Sequence, residues 1–462
     1  MAIVGAIMVP HPPIILPEVG KGEEKKIAAT TAAYEQAAAF VSELQPDTIV
    51  LASPHSIMYS DYFHISPGKT AKGDMGQFRA PQVKFCVEYD TEFVVALSKL
   101  CNQIGFPAGT QGERKAELDH GTMIPLYYVN HFYQDYKLIR IGLSGLPLTE
   151  HYHLGQMIQQ IANQLDRRVV FIGSGDLSHK LRKEGPYGYA KEGPDYDDRI
   201  MDVMGRAAFD ELLDFDERFC EKAAECGHRS FCMLAGALDG MLLETKRLSH
   251  EGIFGVGYGI CTYRAVGEGP DRHLLEKWEE RQRNSLLEKR SKEDAYVRLA
   301  RAVINAWIRE HRKFPLPDDL PPEMISLCAG AFVSLHKDGR LRGCIGTIQP
   351  VRNSIAEEIA DNAVSAATRD PRFSPVRPEE LDSLEISVDI LSEPEAIRSK
   401  AELDVKRYGV IVSKGARRGL LLPNLEGVDT VDEQIAIAMQ KAGISEREKG
   451  VELQRFEVVR HV

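Results

Sequence analysis

Val169-Val-Phe-Ile-Gly-Ser-Gly-Asp-Leu-Ser-His179 is the stretch on which the reading of this fold turns. Four apolar residues, all β-branched or aromatic, run into Gly173, Ser174 and Gly175, the pattern of a buried strand that stops at a tight turn. The turn carries Asp176 and His179. In open α/β sheets ligands bind beyond the carboxyl ends of the strands, so an acid and an imidazole placed there can act on a small molecule. Two other predicted strands end the same way. Residues 2–9 run into Pro10-His11-Pro12-Pro13, where the prolines cannot continue a ladder, and Thr48-Ile-Val-Leu-Ala52 runs into Ser53-Pro54-His55.

Outward from these strands the pattern alternates. Residues 25–44 are Ala-rich without Gly or Pro and predict a crossover helix, so that strand, helix and strand form a right-handed βαβ unit. Residues 61–81 have no clear period and predict a long loop or hairpin over the site. Helices are predicted over 91–105 and 150–166, and a strand over 137–144. His120, in Leu118-Asp-His-Gly-Thr122, is expected in a turn before the apolar run 123–129. Residues 185–194, rich in Gly and Tyr, predict a loop flanking a pocket. Helices are expected over 195–213, 217–225 and 231–245, then a final strand over 252–265.

The 462 residues exceed one ordinary core and predict two or three domains. A net charge of −11 argues against a nucleic-acid surface, which needs clustered Lys and Arg. The eight cysteines show no C-x-x-C pair and no disulfide framework, so a reducing cytoplasm is expected. The N-terminus lacks the basic segment of a signal peptide, and no stretch reaches the roughly 20 apolar residues of a membrane span.

His11, His55 and His120 border apolar runs, and the topology could gather them with Asp176 and His179. Iron(II) enzymes that activate O₂ commonly hold the metal with two histidines and one carboxylate. Spacing alone leaves that carboxylate open; Glu225, in Ala223-Ala-Glu-Cys-Gly-His-Arg229, is a candidate, with Cys226 beside it as a thiolate alternative. Cys220, Cys226, Cys232 and His228 are spaced too widely along predicted helices for a zinc knuckle.

Val9-Pro-His-Pro-Pro13, Ser53-Pro-His-Ser56, Leu118-Asp-His-Gly-Thr122, Gly173-Ser-Gly-Asp-Leu-Ser-His179 and Glu225-Cys-Gly-His-Arg229 together resemble the class III extradiol dioxygenase catalytic-subunit superfamily, which includes the Memo proteins. The resemblance covers about residues 1–266. It implies an N-terminal α/β/α sheet with His11 and His55 as metal ligands. Glu225 matches the carboxylate of ring-cleaving members, and Cys226 a thiolate ligand of the Memo branch. Asp176 and His179 match an acid-base pair, and His120 a histidine beside the metal. The implied metal is Fe(II), with zinc or copper as alternatives if sulfur ligates, and the implied substrate is a small catechol-like or aminophenol-like aromatic. The implied class is a non-haem oxidoreductase; the alternative is a metal-binding adaptor that performs no ring cleavage.

Gly267-Glu-Gly-Pro270 and the dense mixed charge after it predict a linker with a solvated helix over 267–290. A second, α+β domain is predicted over 291–462. Its elements are a helix over 295–312, a strand pair over 328–335 and 341–348 joined at Asp338-Gly339, a helix over 352–367, a strand over 384–391, a hairpin around 413–418, a helix over 431–442 and a strand over 452–459. Leu341-Arg-Gly-Cys-Ile-Gly-Thr347 and Thr368-Arg-Asp-Pro-Arg-Phe373 resemble the AMMECR domain family. The fusion order is similar to that of the AmmeMemoRadiSam system protein A family, which implies a radical S-adenosylmethionine enzyme as partner; a homo-oligomer is left open. Cys344 is a candidate nucleophile, with Arg342, Arg369 and Arg372 as anion-binding groups. The competing reading is that Gly343 and Gly346 permit close packing and Cys344 is a buried filler, and it is favoured because no histidine lies nearby in sequence.

Overall fold

The computed structural model describes residues 2–112, 117–337, 339–425, 427–445, 447–448 and 450–462. The chain divides into two compact units, Met1–Glu280 and Arg281–Val462. Leu274–Ser291, which overlaps the linker predicted over 267–290, is a mostly exposed helix.

The first unit is built on strands β1 (Ile3–Val9), β2 (Thr48–Ser53), β3 (Lys137–Gly142), β4 (Val169–Ser174), β5 (Met241–Glu251) and β6 (Tyr258–Glu268), in the order β3-β2-β4-β1-β6-β5. The first four are parallel, and β6 and β5 add antiparallel to one side. β4 lies between β2 and β1 with every residue buried. Its alternating side chains feed two cores. Phe171 joins the side packed with Tyr152, Phe231 and Met233, while Val170 and Ile172 join the side with Tyr34, Val41 and Ile124. A parallel strand covered on both faces needs this unbroken apolar run.

Register levels the strand ends. Ala52 pairs with Gly173 and Val9 with Ser174, so the chain leaves β1, β2 and β4 at one edge, where His11, His55 and Asp176 follow.

The longer helices of this unit include α1 (Ala28–Leu44), α2 (Thr91–Ile104), α3 (His120–Asn130), α4 (Leu148–Gln164), α5 (Glu192–Arg206), α6 (Glu217–Ala223) and α7 (His228–Ala237). His120 opens α3 instead of lying in a turn, because the Asp119 carboxylate caps the helix by accepting from Thr122 N–H at 3.0 Å. The helix expected over 231–245 ends at Ala237, and 241–251 is strand β5. Its Leu, Glu, Lys and Arg favour helix locally, but pairing with β6 overrides that preference, and the charges suit a sheet edge. Residues 61–81 contain part of a hairpin, Thr70–Met75 against Ala80–Glu88.

The second unit carries β7 (Ala331–Lys337), β8 (Arg340–Gly346), β9 (Glu385–Leu391), β10 (Tyr408–Lys414), β11 (Arg417–Leu421) and β12 (Glu452–His461), ordered β8-β7-β9-β12-β10-β11, with a short strand Glu395–Ile397 pairing with β12. Asp338, in the predicted Asp-Gly turn, lies outside the described residues. Helices α8 (Ala295–Glu310) and α9 (Ile355–Thr368) cover one face of the sheet, burying Val333, Leu335, Ile386 and Val388; α10 (Val431–Lys441) packs on β10 and β11. The opposite face of β7, β8 and β9 is only partly buried.

Candidate metal centre

His11 follows β1, His55 follows β2, and Cys226 sits between α6 and α7. One ligand atom from each of the three lies within 4.8 Å of the others. His11 Nε2 is 3.0 Å from His55 Nε2 and 3.6 Å from Cys226 Sγ. Donors sharing one ion at about 2.0–2.1 Å for nitrogen and 2.3 Å for sulfur stand roughly 3 to 3.6 Å apart, so these residues fit a metal.

Hydrogen bonding fixes which nitrogen of His11 is bare. The Ser174 hydroxyl donates to the Gly121 carbonyl at 2.6 Å, which leaves Ser174 Oγ as an acceptor. His11 Nδ1–H donates to that oxygen at 2.9 Å, and the lone pair on Nε2 faces the cluster. His55 is tied through its backbone: its N–H donates to Ser53 Oγ at 3.2 Å, and the Ser53 hydroxyl donates to Asp119 Oδ1 at 2.5 Å. Asp119 lies 3.7 Å from the buried Arg140 guanidinium.

Cys226 is brought to the cluster by backbone contact. A Cβ on Gly175 would stand 2.1 Å from Gly227 Cα, so only glycine lets the two loops meet there. Asp176 N–H then donates to Cys226 Sγ at 3.3 Å. Burial, followed by the fields of Asp176 and Glu225, holds the Cys226 thiol well above its ordinary value. Burial and the neighbouring His55 hold His11 well below the usual histidine range, and burial lowers His55. Two neutral imidazoles and a thiol are a donor set with no charge of its own, and a cation displaces the thiol proton.

The neighbouring Glu225 is not in this cluster. Its carboxylate accepts from His228 N–H at 2.6 Å, at the start of α7, and burial pushes it up to about 7. Successive residues leave the left-handed turn at Ala224, with the sulfur of Cys226 reaching His11 and the acid of Glu225 reaching α7.

His120 lies beside the two candidate ligands, its ring centroid 4.0 Å from that of His55 and 5.4 Å from that of His11, with Phe78 edge-on at 5.3 Å. Burial, with His55 and His11, lowers it to about 3. His179 Nδ1–H donates to the Ala224 carbonyl at 2.5 Å, which leaves Nε2 free to take a proton, and Tyr187 meets its ring edge-on at 5.1 Å. Asp176 is buried, and its Oδ1 accepts from His11 N–H at 2.7 Å. Burial raises its carboxyl. It therefore anchors the backbone of His11, a candidate ligand. Sequence reading missed Ser174, Ser53 and Asp119 as supports. Asp119 had a local signal, an acid three residues before Thr122 at a helix start. The contacts of Ser174 span 163 and 53 residues and leave none.

In the second unit, Arg372 Nη2 donates to the Cys344 carbonyl at 3.3 Å and binds Asp370 through two nitrogens. Arg342 is engaged with Glu380 at 2.8 and 3.0 Å, and Arg369 is exposed at the end of α9. Of the three arginines, Arg372 is the one that bonds to Cys344.

A family model described as the catalytic LigB subunit of aromatic ring-opening dioxygenase matches residues 5–261, and one described as AMMECR1 matches residues 297–461. Protein CA_C1420 of Clostridium acetobutylicum is 40% identical over 469 residues, covering 100% of this chain and 99% of that protein. A protein of Thermotoga maritima is 55% identical over 170 residues, covering 37% of this chain and 98% of its own. Among solved structures, the uncharacterized protein PH0010 from Pyrococcus horikoshii is 33% identical, with a TM-score of 0.34 over 36% of this chain and 88% of that one. The chain belongs to the family of the catalytic LigB subunit of aromatic ring-opening dioxygenases, and carries an AMMECR1 domain after it.

Proposed function

We propose that the first unit is a mononuclear, non-haem metal-dependent oxidoreductase in which His11, His55 and Cys226 hold the ion. The convergence of their three donor atoms carries this reading. The family supports a substrate of the catechol or aminophenol class. Iron(II) is the proposed metal, with copper or zinc as the alternatives that a thiolate ligand favours. When bound, a redox-active ion at these donors supplies Lewis acidity and access to O₂ chemistry.

The chain's own residues supply the rest. His179 Nε2 accepts the proton of a substrate hydroxyl, because its other nitrogen is committed to Ala224. His120 stays neutral and offers a hydrogen bond without a charge. Asp176 holds His11 and Cys226 in register through its carboxylate and its N–H. Tyr187 and Phe78 pack on the two histidine rings.

The orientation of Glu225 favours a second reading: a metal-binding adaptor of the Memo type, working beside a radical S-adenosylmethionine enzyme without ring cleavage. Ring cleavage commonly relies on a carboxylate where the sulfur of Cys226 now points. Anaerobic purification, metal analysis and O₂ uptake with catechols and aminophenols separate the two. Uptake that is lost in His179→Ala with the metal retained supports the oxidoreductase. Bound metal with no uptake on any of these substrates overturns it in favour of the adaptor.

A further inference from the structure

Asp197, on α5, is a buried acid outside the cluster of candidate metal ligands, and the other buried residues of that helix carry no charge. Taking a carboxylate out of water is costly unless its oxygens are bonded and its charge is met. Both oxygens are used here. Oδ1 accepts from the Ser178 N–H at 2.8 Å, and Oδ2 lies 2.8 Å from Nε2 of His250, on the edge strand β5. The carboxylate is seated directly against backbone, since a Cβ on Gly257 would stand 2.0 Å from Oδ2.

Ser178 immediately precedes His179, and its polar groups tie the turn to three segments. Its N–H goes to Asp197 on α5, its hydroxyl donates to the Ala223 carbonyl at the end of α6 at 2.8 Å, and its carbonyl accepts from the Gly257 N–H at 2.8 Å. The His179 N–H also donates to the Ala223 carbonyl, at 3.2 Å, and its Nδ1–H to that of Ala224. The imidazole thus keeps its proton on Nδ1 while the turn stays docked on the end of α6. Of the three bonds that hold Ser178, the one to Asp197 is assisted by charge, and such bonds are the stronger kind.

We propose that Asp197 is a positioning residue for His179: through the Ser178 N–H it holds the turn in which Nδ1–H stays on Ala224 and Nε2 stays bare, while His250 fixes the carboxylate from the sheet edge. The proposal rests on the reading of His179 as the proton acceptor. Asp197 touches neither that imidazole nor a candidate ligand through any of these bonds, so it acts through Ser178 alone.

The test reads the His179 tautomer directly. Two-bond proton–nitrogen spectra of the full chain, carrying isotope-labelled histidine and purified with diamagnetic zinc, are recorded at about pH 8, above the ordinary histidine range. His179 is expected mainly as the Nδ1–H form. Losing one ordinary hydrogen bond shifts such an equilibrium about 3- to 10-fold, so the ratio of Nδ1–H to Nε2–H forms is expected to fall by that factor in Asp197→Ala. It is expected to hold in Asp197→Asn, whose amide oxygen still accepts from Ser178. His151, buried in the same unit with its Nδ1–H on Pro147, is the control and keeps its form in every variant. If Asp197→Ala does not fold, Asp197→Ser is read in its place, because its hydroxyl stops one bond short of the Ser178 N–H.

A wild-type His179 found mainly as Nε2–H, or a ratio unmoved in the alanine or serine variant, overturns the proposal. So does a change that appears equally at His151 or that asparagine fails to prevent. Oxygen uptake separates this result from the reading beneath it: a tautomer shift confined to His179, with no uptake by the wild type on any catechol or aminophenol, rejects the oxidoreductase and leaves the positioning role standing.

Discussion

His11 Nε2 and His55 Nε2 stand 3.0 Å apart. Ser174 keeps the His11 proton on Nδ1, so this contact is a hydrogen bond only while His55 carries its proton on Nε2. An ion held by both rings would take the place of this contact, with His55 then carrying its proton on Nδ1.

The first expectation concerns the ligand set. His11→Ala, His55→Ala and Cys226→Ala each abolish stoichiometric metal, whereas Glu225→Gln retains it, as read by elemental analysis of protein purified without chelators. Because burial keeps the Cys226 thiol protonated, loading a divalent ion releases about one proton near neutral pH, which calorimetry in buffers of different ionisation enthalpy detects. Metal in Cys226→Ala at wild-type stoichiometry would reject the thiolate assignment.

Ser174 fixes a tautomer instead of touching the ion. Ser174→Ala is expected to weaken metal affinity by about 10- to 100-fold, the range seen when a ligand histidine loses its outer partner. A competition titration against a chelator measures this, with the visible spectrum of the cobalt-loaded protein reporting whether the remaining sites still ligate. Unchanged affinity would show that His11 needs no orienting partner.

Gly175 and Gly227 touch through their α-carbons, with no room for a methyl group. Gly175→Ala forces the loops of Asp176 and Cys226 apart, so the prediction is loss of metal with far-UV circular dichroism unchanged. Retention of full occupancy would mean that the loops give way without moving the sulfur.

His151 provides a pH test away from the metal. It is fully buried; its Nδ1–H donates to the Pro147 carbonyl at 3.0 Å and its Nε2 accepts from Ser144 N–H at 3.3 Å. Burial lowers it to about 3. An unfolded histidine takes its proton near 6.5, so the stabilisation is fully present above that pH and drains away as pH falls towards 3, to a limit of about 5 kcal/mol. Urea titrations at neutral and mildly acidic pH should show this loss for the first unit, and His151→Gln should flatten the acid limb. An acid limb of equal slope in that variant would place the titration elsewhere.

Much of the architecture was legible because it is written in local patterns. The apolar run into Gly173 marked β4, the prolines after Val9 marked the end of β1, and the Asp-Gly turn signal marked the pair of β7 and β8. β5 was misread because its Leu, Glu, Lys and Arg suit a helix equally well, and only β6 beside it decides for a strand.

By itself the sequence determined that His11, His55 and Asp176 each follow an apolar strand and that Glu225 and Cys226 are adjacent at the end of a predicted helix; these are properties of residue order. The tertiary structure decided which of the last two faces His11, because that depends on the left-handed turn at Ala224 and on the close approach of Gly175 to Gly227. It also supplied Ser174 as the partner of His11 and Asp370 as the acceptor of the Cys344 N–H. Those relationships join residues far apart along the chain, and short-range periodicity holds no record of which side chains a packed core brings within a few ångströms of each other.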